Sequence, residues 1–88
     1  MKKIICNAKG KNKSEFNMSA VCVFEKTDDS YTIYRNNETK ELEKFLENKN
    51  DYHALSVKFY ENDILSASIV DAGIYYSNGQ VFFEIFSK

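Results

Sequence analysis

Residues 75–86 read Tyr-Tyr-Ser-Asn-Gly-Gln-Val-Phe-Phe-Glu-Ile-Phe, and this stretch organises the whole 88-residue chain. Asn78-Gly79 separates two apolar runs, and both residues tolerate the positive φ angles of a two-residue type I′ turn. The stretch therefore predicts a β-hairpin in which Tyr75 lies opposite Phe82. Both faces of this hairpin are apolar, so both need cover. One face carries Ile74, Tyr76, Val81, Phe83 and Ile85, and the other carries Tyr75, Phe82 and Phe86 beside Glu84.

Alternating apolar and polar residues predict further strands before the hairpin. Leu65 and Ile69 share a face that is one residue out of phase with the face of Ile74. We therefore expect a β-bulge near residues 71–73, because an extra residue reverses the face and Gly73 suits the bend. The predicted strands cover residues 2–8, 15–26, 31–35, 52–61, 64–77 and 80–87.

One helix is predicted between the third and fourth strands. Asn36-Asn37 is a favoured N-cap, and Glu38 and Glu41 follow where the positive end of the helix dipole favours acidic residues. The apolar stripe of this helix is narrow, so the helix must be held by a sheet face. The stripe consists of Leu42, Phe45 and Leu46.

The predicted order of elements is β-β-β-α-β-β-β, with short links between consecutive strands. Short links join antiparallel neighbours. We therefore expect a single α+β domain over residues 1–88, in which one bent antiparallel sheet of five or six strands packs on a single helix. A small, partly closed barrel is the alternative fold.

The net charge of −1 hides an uneven distribution of charge. Residues 1–14 contain five lysines and no acidic residue, whereas residues 15–88 contain seven basic and thirteen acidic residues. No apolar run approaches the ~20 residues of a membrane span, and the apolar run after Lys2-Lys3 is too short for a signal peptide. We expect a cytoplasmic protein with no membrane partner.

Residues that could carry chemistry are few and scattered. Cys6 and Cys22 are predicted to lie too far apart along paired strands for a disulfide, and we interpret both as reduced core residues. His53 is the only histidine, and no nucleophile is placed beside it by the sequence. Asp71 and Glu84 are predicted to lie near each other, as surface charges. We expect neither an enzyme, nor a metal site, nor a cofactor.

The leading hypothesis is a non-enzymatic protein-binding module, most concretely an inhibitor that occupies a partner's working surface. The narrow helix cannot cover both faces of the hairpin, so Tyr75, Phe82 and Phe86 with Glu84 are the predicted contact, an aromatic centre with a polar rim. Small inhibitors of this size and architecture include phage-type anti-CRISPR and other anti-defence proteins, and toxin-immunity proteins. The partner would then be a nucleic-acid-handling enzyme or a toxin.

An acidic surface is expected to assist this contact, because such a surface imitates DNA phosphates or meets a basic groove on a partner. Lysines on the predicted helix dilute its charge. The surface would consist of Glu38, Glu41, Glu43, Glu47, Glu61, Asp63 and Asp71.

Two alternatives stay open. In the first, the basic N-terminal hairpin binds nucleic acid, and Lys9, Lys11 and Lys13 contact phosphates. The acidic charge of the remaining chain makes this direct binding less favoured. In the second, the protein is a homo-oligomeric structural protein, for example a homodimer, in which an exposed edge strand or hairpin face pairs with its own copy.

Overall fold

The computed structural model describes residues 1–27 and 30–84, without the side chains at positions 54 and 82–84. Within these ranges one α-helix, α1 (Lys40–Glu47), lies between β4 and β5, and 3-10 turns at Asn37–Thr39 and Lys49–Asp51 flank it. The predicted α+β class and the position of the helix are therefore confirmed. The strands are β1 (Lys2–Gly10), β2 (Glu15–Val21), β3 (Phe24–Thr27), β4 (Ser30–Tyr34), β5 (Tyr52–Glu61), β6 (Ile64–Ile69), β7 (Gly73–Ser77) and β8 (Gln80–Glu84).

The described strands form two antiparallel four-stranded sheets. Sheet I has the order β2-β1-β5-β6, and sheet II has the order β3-β4-β8-β7. The edge strands β2 and β6 of sheet I continue along the chain into the edge strands β3 and β7 of sheet II. Strands that switch sheets in this way make the corners between packed sheets. The single bent sheet of the sequence-based prediction is thus divided at two corners, and it is not closed into a barrel.

The first corner lies at Cys22-Val23 and interrupts the strand predicted over residues 15–26. The Cys22 amide donates to the Lys2 carbonyl at 3.1 Å, and the Tyr34 amide donates to the Val23 carbonyl at 3.0 Å. The chain therefore bonds to β1 of sheet I on one side of the corner and to β4 of sheet II on the other. The alternation of buried and exposed residues continues through the corner. For this reason the pattern predicts one strand where the structure has two.

The second corner lies between β6 and β7, where the sequence predicts a bulge. Asp71 has a positive φ of 58°, which a short polar residue tolerates better than most. The next amide, that of Ala72, donates to the Leu55 carbonyl of β5 at 2.8 Å, and the Ala72 side chain is buried. The predicted irregularity is confirmed in position, but it turns the chain into the other sheet instead of flipping one strand.

The C-terminal hairpin has the predicted turn and register. Asn78 and Gly79 have φ angles of 50° and 78°, the positive values that a type I′ turn requires. Tyr75 pairs with Phe82, and the pairs on either side follow the same register. The Asn-Gly signal therefore identifies both the turn and the strand alignment correctly.

An aromatic cluster joins the two sheets in the core. Phe59 of β5 is fully buried, and its ring stacks on Tyr31 of β4 with centroids 4.1 Å apart. Phe24 of β3 packs edge-on against Phe59 at 5.0 Å. Aromatic pairs at these separations stabilise a core beyond the area that they bury. This cluster therefore connects sheet I to both β3 and β4 of sheet II.

The predicted cap, Asn36, caps the 3-10 turn Asn37–Thr39, which leads into α1. The Asn36 Oδ1 accepts hydrogen bonds from the amides of Glu38 and Thr39 at 2.7 and 3.1 Å, and the Asn36 amide donates to the Thr39 hydroxyl at 2.9 Å. This reciprocal arrangement is a capping box. Of the predicted stripe, Leu42 and Phe45 are buried and Leu46 is half-buried.

The helix covers the end of sheet I at which β2 and β5 begin. The Phe45 ring lies 4.8 Å from the Phe16 ring of β2 and 5.1 Å from the Tyr52 ring of β5, measured between centroids. These three rings close one end of the core. The outward faces of both sheets are left without cover from α1.

Candidate functional site

Sheet II has one face that packs in the core and one outward face, on which some side chains are exposed and Thr32 is buried. The inward side chains of Phe24, Tyr31, Ile33, Ile74 and Val81 are at most 9% exposed. Outward positions alternate with them, and Val23, Tyr34 and Tyr75 stand there with 56%, 36% and 41% of their surface exposed. We call these three residues the tyrosine face. Exposed tyrosines in a row of rigid strands are typical of the centre of a protein interface.

The strand register places one row of residues across the middle of this face. The row runs over all four strands of sheet II: Glu25, Thr32, Phe82 and Tyr75. Tyr34 lies two residues along β4 from Thr32, and its hydroxyl donates to the Glu25 carboxylate at 3.2 Å. This hydrogen bond and the negative charge of Glu25 raise the pKa of Tyr34.

Tyr76 lies beside the tyrosine face, where the hairpin meets α1. It shares the inward parity of Ile74, but it is 48% exposed. Arg35 donates to the Tyr76 hydroxyl at 2.6 Å, places its guanidinium 5.0 Å from the ring centroid and pairs with Glu43 of the helix. Arg35 thus ties the hairpin to the helix at a groove of about 410 Å³ that Tyr76 lines with Glu43, Leu46 and Glu47.

The structure tests only part of the aromatic contact predicted from sequence. Tyr75 is exposed on the outward face, as that prediction requires. The backbone of Phe82 lies between Tyr75 and Thr32, and the backbone of Glu84 lies opposite Gly73. The side chains of Phe82 and Glu84, and all of Phe86, lie outside the described residues. The sequence alone does not place Val23 and Tyr34 on this surface, because their neighbours depend on the order of the strands in the sheet.

The seven predicted acidic residues lie in three regions. Four are on α1 and the turn before it, and of these Glu43 is half-buried against Arg35. Glu61 and Asp63 flank the turn between β5 and β6, and Asp71 stands alone at the second corner. On the helix, Glu43 and Glu47 face the Tyr76 groove. The four helix acids are Glu38, Glu41, Glu43 and Glu47.

The fold separates charge between its two halves. The segments that build sheet I, residues 1–22 and 48–70, contain seven basic and four acidic residues. The described segments that build sheet II and α1, residues 23–27, 30–47 and 71–84, contain four basic and seven acidic residues. The tyrosine face therefore belongs to the acidic half of the protein.

The predicted basic hairpin is exposed, and it is separated from the first two lysines. Lys9, Lys11 and Lys13 surround the turn between β1 and β2, where the Gly10 amide donates to the Ser14 carbonyl at 2.6 Å. The Lys11 amide donates to the Asp51 carbonyl at 3.0 Å, which anchors the turn to the start of β5. Lys2 and Lys3 lie at the other end of β1, about 20 Å away at ~3.3 Å per strand residue.

The described residues provide no reactive thiol and no metal cluster. Cys6 and Cys22 are buried and unbonded, as the sequence predicts. Burial raises the pKa of Cys6 to about 12, with a smaller effect of Cys22, and burial with the nearby Glu38 charge raises the pKa of Cys22 to about 11. Protonated thiols are poor nucleophiles and poor metal ligands. His53 is exposed, and no group of three His, Cys, Asp or Glu side chains converges on a metal-sized site in this part of the chain.

Comparison of the chain with protein-family models, with curated proteins and with solved structures gives no match. None of the helices in residues 1–27 and 30–84 has the length and apolar character needed to cross a bilayer. The site must therefore be interpreted from its own geometry.

Proposed function

We propose that this protein is a non-enzymatic protein-binding module whose tyrosine face docks on a protein partner and blocks that partner's working surface. The observation that carries the proposal is the exposure of Tyr34 and Tyr75 on the outward face of a sheet whose inward face is closed. Tyrosine has few rotatable bonds, so it gives a large contact area at a small cost in conformational entropy. Antiparallel strands hold both rings in place before the partner arrives, which reduces that cost further.

Charge favours a partner with a basic surface. The tyrosine face lies in the half of the protein whose described residues include seven acidic and four basic ones, and Glu43 and Glu47 line the adjoining groove. Complementary charge steers association and selects the partner. A nucleic-acid-handling enzyme, or a toxin that acts on nucleic acid, contacts phosphates through such a basic surface. Occlusion of that surface is the mode of action that we propose, as in an anti-CRISPR, anti-defence or toxin-immunity protein.

Two further observations support an inhibitor over an enzyme. The raised pKa values of Cys6 and Cys22 leave both thiols protonated near neutral pH. The tyrosine face carries two phenols on a sheet surface with the Glu25 carboxylate beside Tyr34, and no nucleophile and base among its described residues are held together in a cleft. Two reduced cysteines are also usual for a protein that acts in the cytoplasm.

A capture experiment with matched variants tests the proposal. Immobilised protein is exposed to lysate of the cells in which it is made, and the retained protein is identified and titrated against free protein. The Tyr34→Ala/Tyr75→Ala variant should lose at least about 30-fold in affinity for that partner, because central interface tyrosines contribute about 1–2 kcal/mol or more each. The Ile64→Ala/Leu65→Ala variant removes exposed apolar side chains from β6, so it should change the affinity less than threefold.

The inhibitor mechanism is tested on the identified partner. Stoichiometric protein should abolish the partner's activity, and the double tyrosine variant should restore it while circular dichroism shows an unchanged fold. Equal loss of affinity in both double variants would contradict docking through the tyrosine face. Full partner activity in the bound complex would contradict occlusion.

A further inference from the structure

The outward face of sheet I forms a second surface with the opposite charge. On β1 the outward residues are Lys3, Ile5, Asn7 and Lys9, which alternate with the buried Ile4, Cys6 and Ala8. Neighbouring strands extend this face on both sides of β1. The register places Lys3 between Val21 and Tyr60, Ile5 between Ser19 and Lys58, and Asn7 between Asn17 and Ser56.

Lysines mark both ends and the middle of this face. Lys3 lies at one end, Lys58 in the middle and Lys9 at the other end, next to the exposed turn with Lys11 and Lys13. Glu15, opposite Lys9, is the acidic residue that the strand register places on this face, and it accepts a hydrogen bond from Asn17 at 3.4 Å. The face is therefore a line of positive charge about 20 Å long, at ~3.3 Å per residue of β1.

An aromatic and apolar row lies across one end of the lysine line. Val21 and Leu65 are 36% and 50% exposed and flank Lys3 and Tyr60. The Lys3 ammonium lies 5.5 Å from the centroid of the Tyr60 ring. The opposite end holds a groove of about 430 Å³, which is lined by Asn7, Ala8, Lys9, Glu15, Asn17, His53 and Ser56.

From this arrangement we infer that the outward face of sheet I binds single-stranded nucleic acid. Lysines along β1 and β5 contact successive phosphates, and one base stacks on Tyr60 with Val21 and Leu65 beside it. A positively charged sheet with an aromatic platform is the usual basis of single-strand binding. Duplex DNA is read by a helix or ribbon that enters a groove, whereas this face is a sheet surface. The inference is independent of the proposed function, since the tyrosine face belongs to the other sheet.

Fluorescence anisotropy of labelled 12-nucleotide oligo(dT) and oligo(U) tests the inference. With about three phosphate contacts, the slope of log affinity against log salt should be about −2, so affinity should fall about 20-fold from 50 to 200 mM salt. Lys3→Glu/Lys58→Glu should reduce affinity at least tenfold and make the slope shallower by about 1.4. Tyr60→Ala should cost about five- to 100-fold with an unchanged slope, because it removes stacking and no charge.

A charge-matched control isolates the face. Lys26 and Lys40 are exposed on β3 and α1, so Lys26→Glu/Lys40→Glu changes the net charge equally but should reduce affinity less than threefold. If the double variant does not fold, Lys58→Gln alone replaces it in the experiment, because this substitution leaves the Lys3–Tyr60 contact intact. The inference is overturned if the native protein does not bind either oligonucleotide at 50 mM salt. It is equally overturned if the control variant loses as much affinity, or if duplex DNA binds as tightly as the single strand.

Discussion

Replacement of Phe59 by leucine should destabilise the protein far more than the same replacement at Tyr75. Phe59 is fully buried, stacks on Tyr31 at 4.1 Å and packs edge-on against Phe24 at 5.0 Å. Complete truncation of a core phenylalanine costs about 3–5 kcal/mol. Leucine retains part of the volume but loses both ring pairs, each worth about 0.5–1.5 kcal/mol. We therefore expect Phe59→Leu to lower the free energy of unfolding by about 2 kcal/mol.

This loss is large and still measurable. A chain of 88 residues has a free energy of unfolding of about 4–13 kcal/mol, so the variant should fold. Its melting temperature should fall by about 8–16 °C, at roughly 4–8 °C for each kcal/mol. Guanidinium unfolding followed by far-ultraviolet circular dichroism gives the free energy directly. Tyr75→Leu, at a position 41% exposed, should lose under about 1 kcal/mol. Equal losses at the two positions would refute the division of these aromatics between core and surface.

Three further predictions concern the cap, a turn and the thiols. Asn36→Ala should lower the free energy of unfolding by about 1–2 kcal/mol, because two amides lose their acceptor. Asn36→Asp should keep most of the native stability, because its carboxylate can accept the same hydrogen bonds. An unchanged melting temperature in the alanine variant would contradict the capping role. Gly10→Ala should lower the free energy of unfolding by about 1–3 kcal/mol through overpacking, because an added Cβ would collide with the Ser14 side chain and lie 3.0 Å from the Ser14 carbonyl oxygen. The second substitution Ser14→Ala should recover part of that loss, and no recovery would argue against the collision. Folding raises the pKa of Cys6 from 9.0 to about 12 and that of Cys22 from 9.0 to about 11. Above pH 9 the thiols ionise first in the unfolded chain, so the free energy of unfolding should fall by about 1.4 kcal/mol per pH unit for each thiol. In denaturant titrations at pH 8–11 the free energy of unfolding of Cys6→Ala should decline less steeply with pH than that of the native chain, and parallel curves would count against the burial of that thiol.

Local signals in the sequence were sufficient for the hairpin turn, for core positions and for the start of the helical segment. The Asn78-Gly79 turn gives the hairpin register, because positive φ angles at two adjacent residues restrict the chain to one type of tight turn. The alternation of side chains gives core positions, including Ile74 and Val81, since a strand between core and solvent has a period of two residues. Asn36 gives the start of the helix because few residues satisfy free amides at a helix end.

These local signals do not show that the chain passes from one sheet to the other at the two corners. At Cys22-Val23 the alternation continues unchanged while the hydrogen-bonding partner changes from β1 to β4. Which strand pairs with which is a long-range property that the pattern of a single strand does not record. The same limit applies to the candidate surfaces. Tyr34 joins Tyr75, and Lys58 joins Lys3, only through the order of strands in the two sheets.

The most direct test of docking through the tyrosine face is site-specific photo-crosslinking in the cells that make the protein. A photoreactive phenylalanine analogue is placed at position 34 or 75 on sheet II, or at position 58 or 68 on the outward face of sheet I. We expect a covalent adduct with one partner protein from positions 34 and 75, and none with that protein from positions 58 and 68. If that partner is crosslinked from positions 58 and 68 but not from positions 34 and 75, docking through the tyrosine face is contradicted.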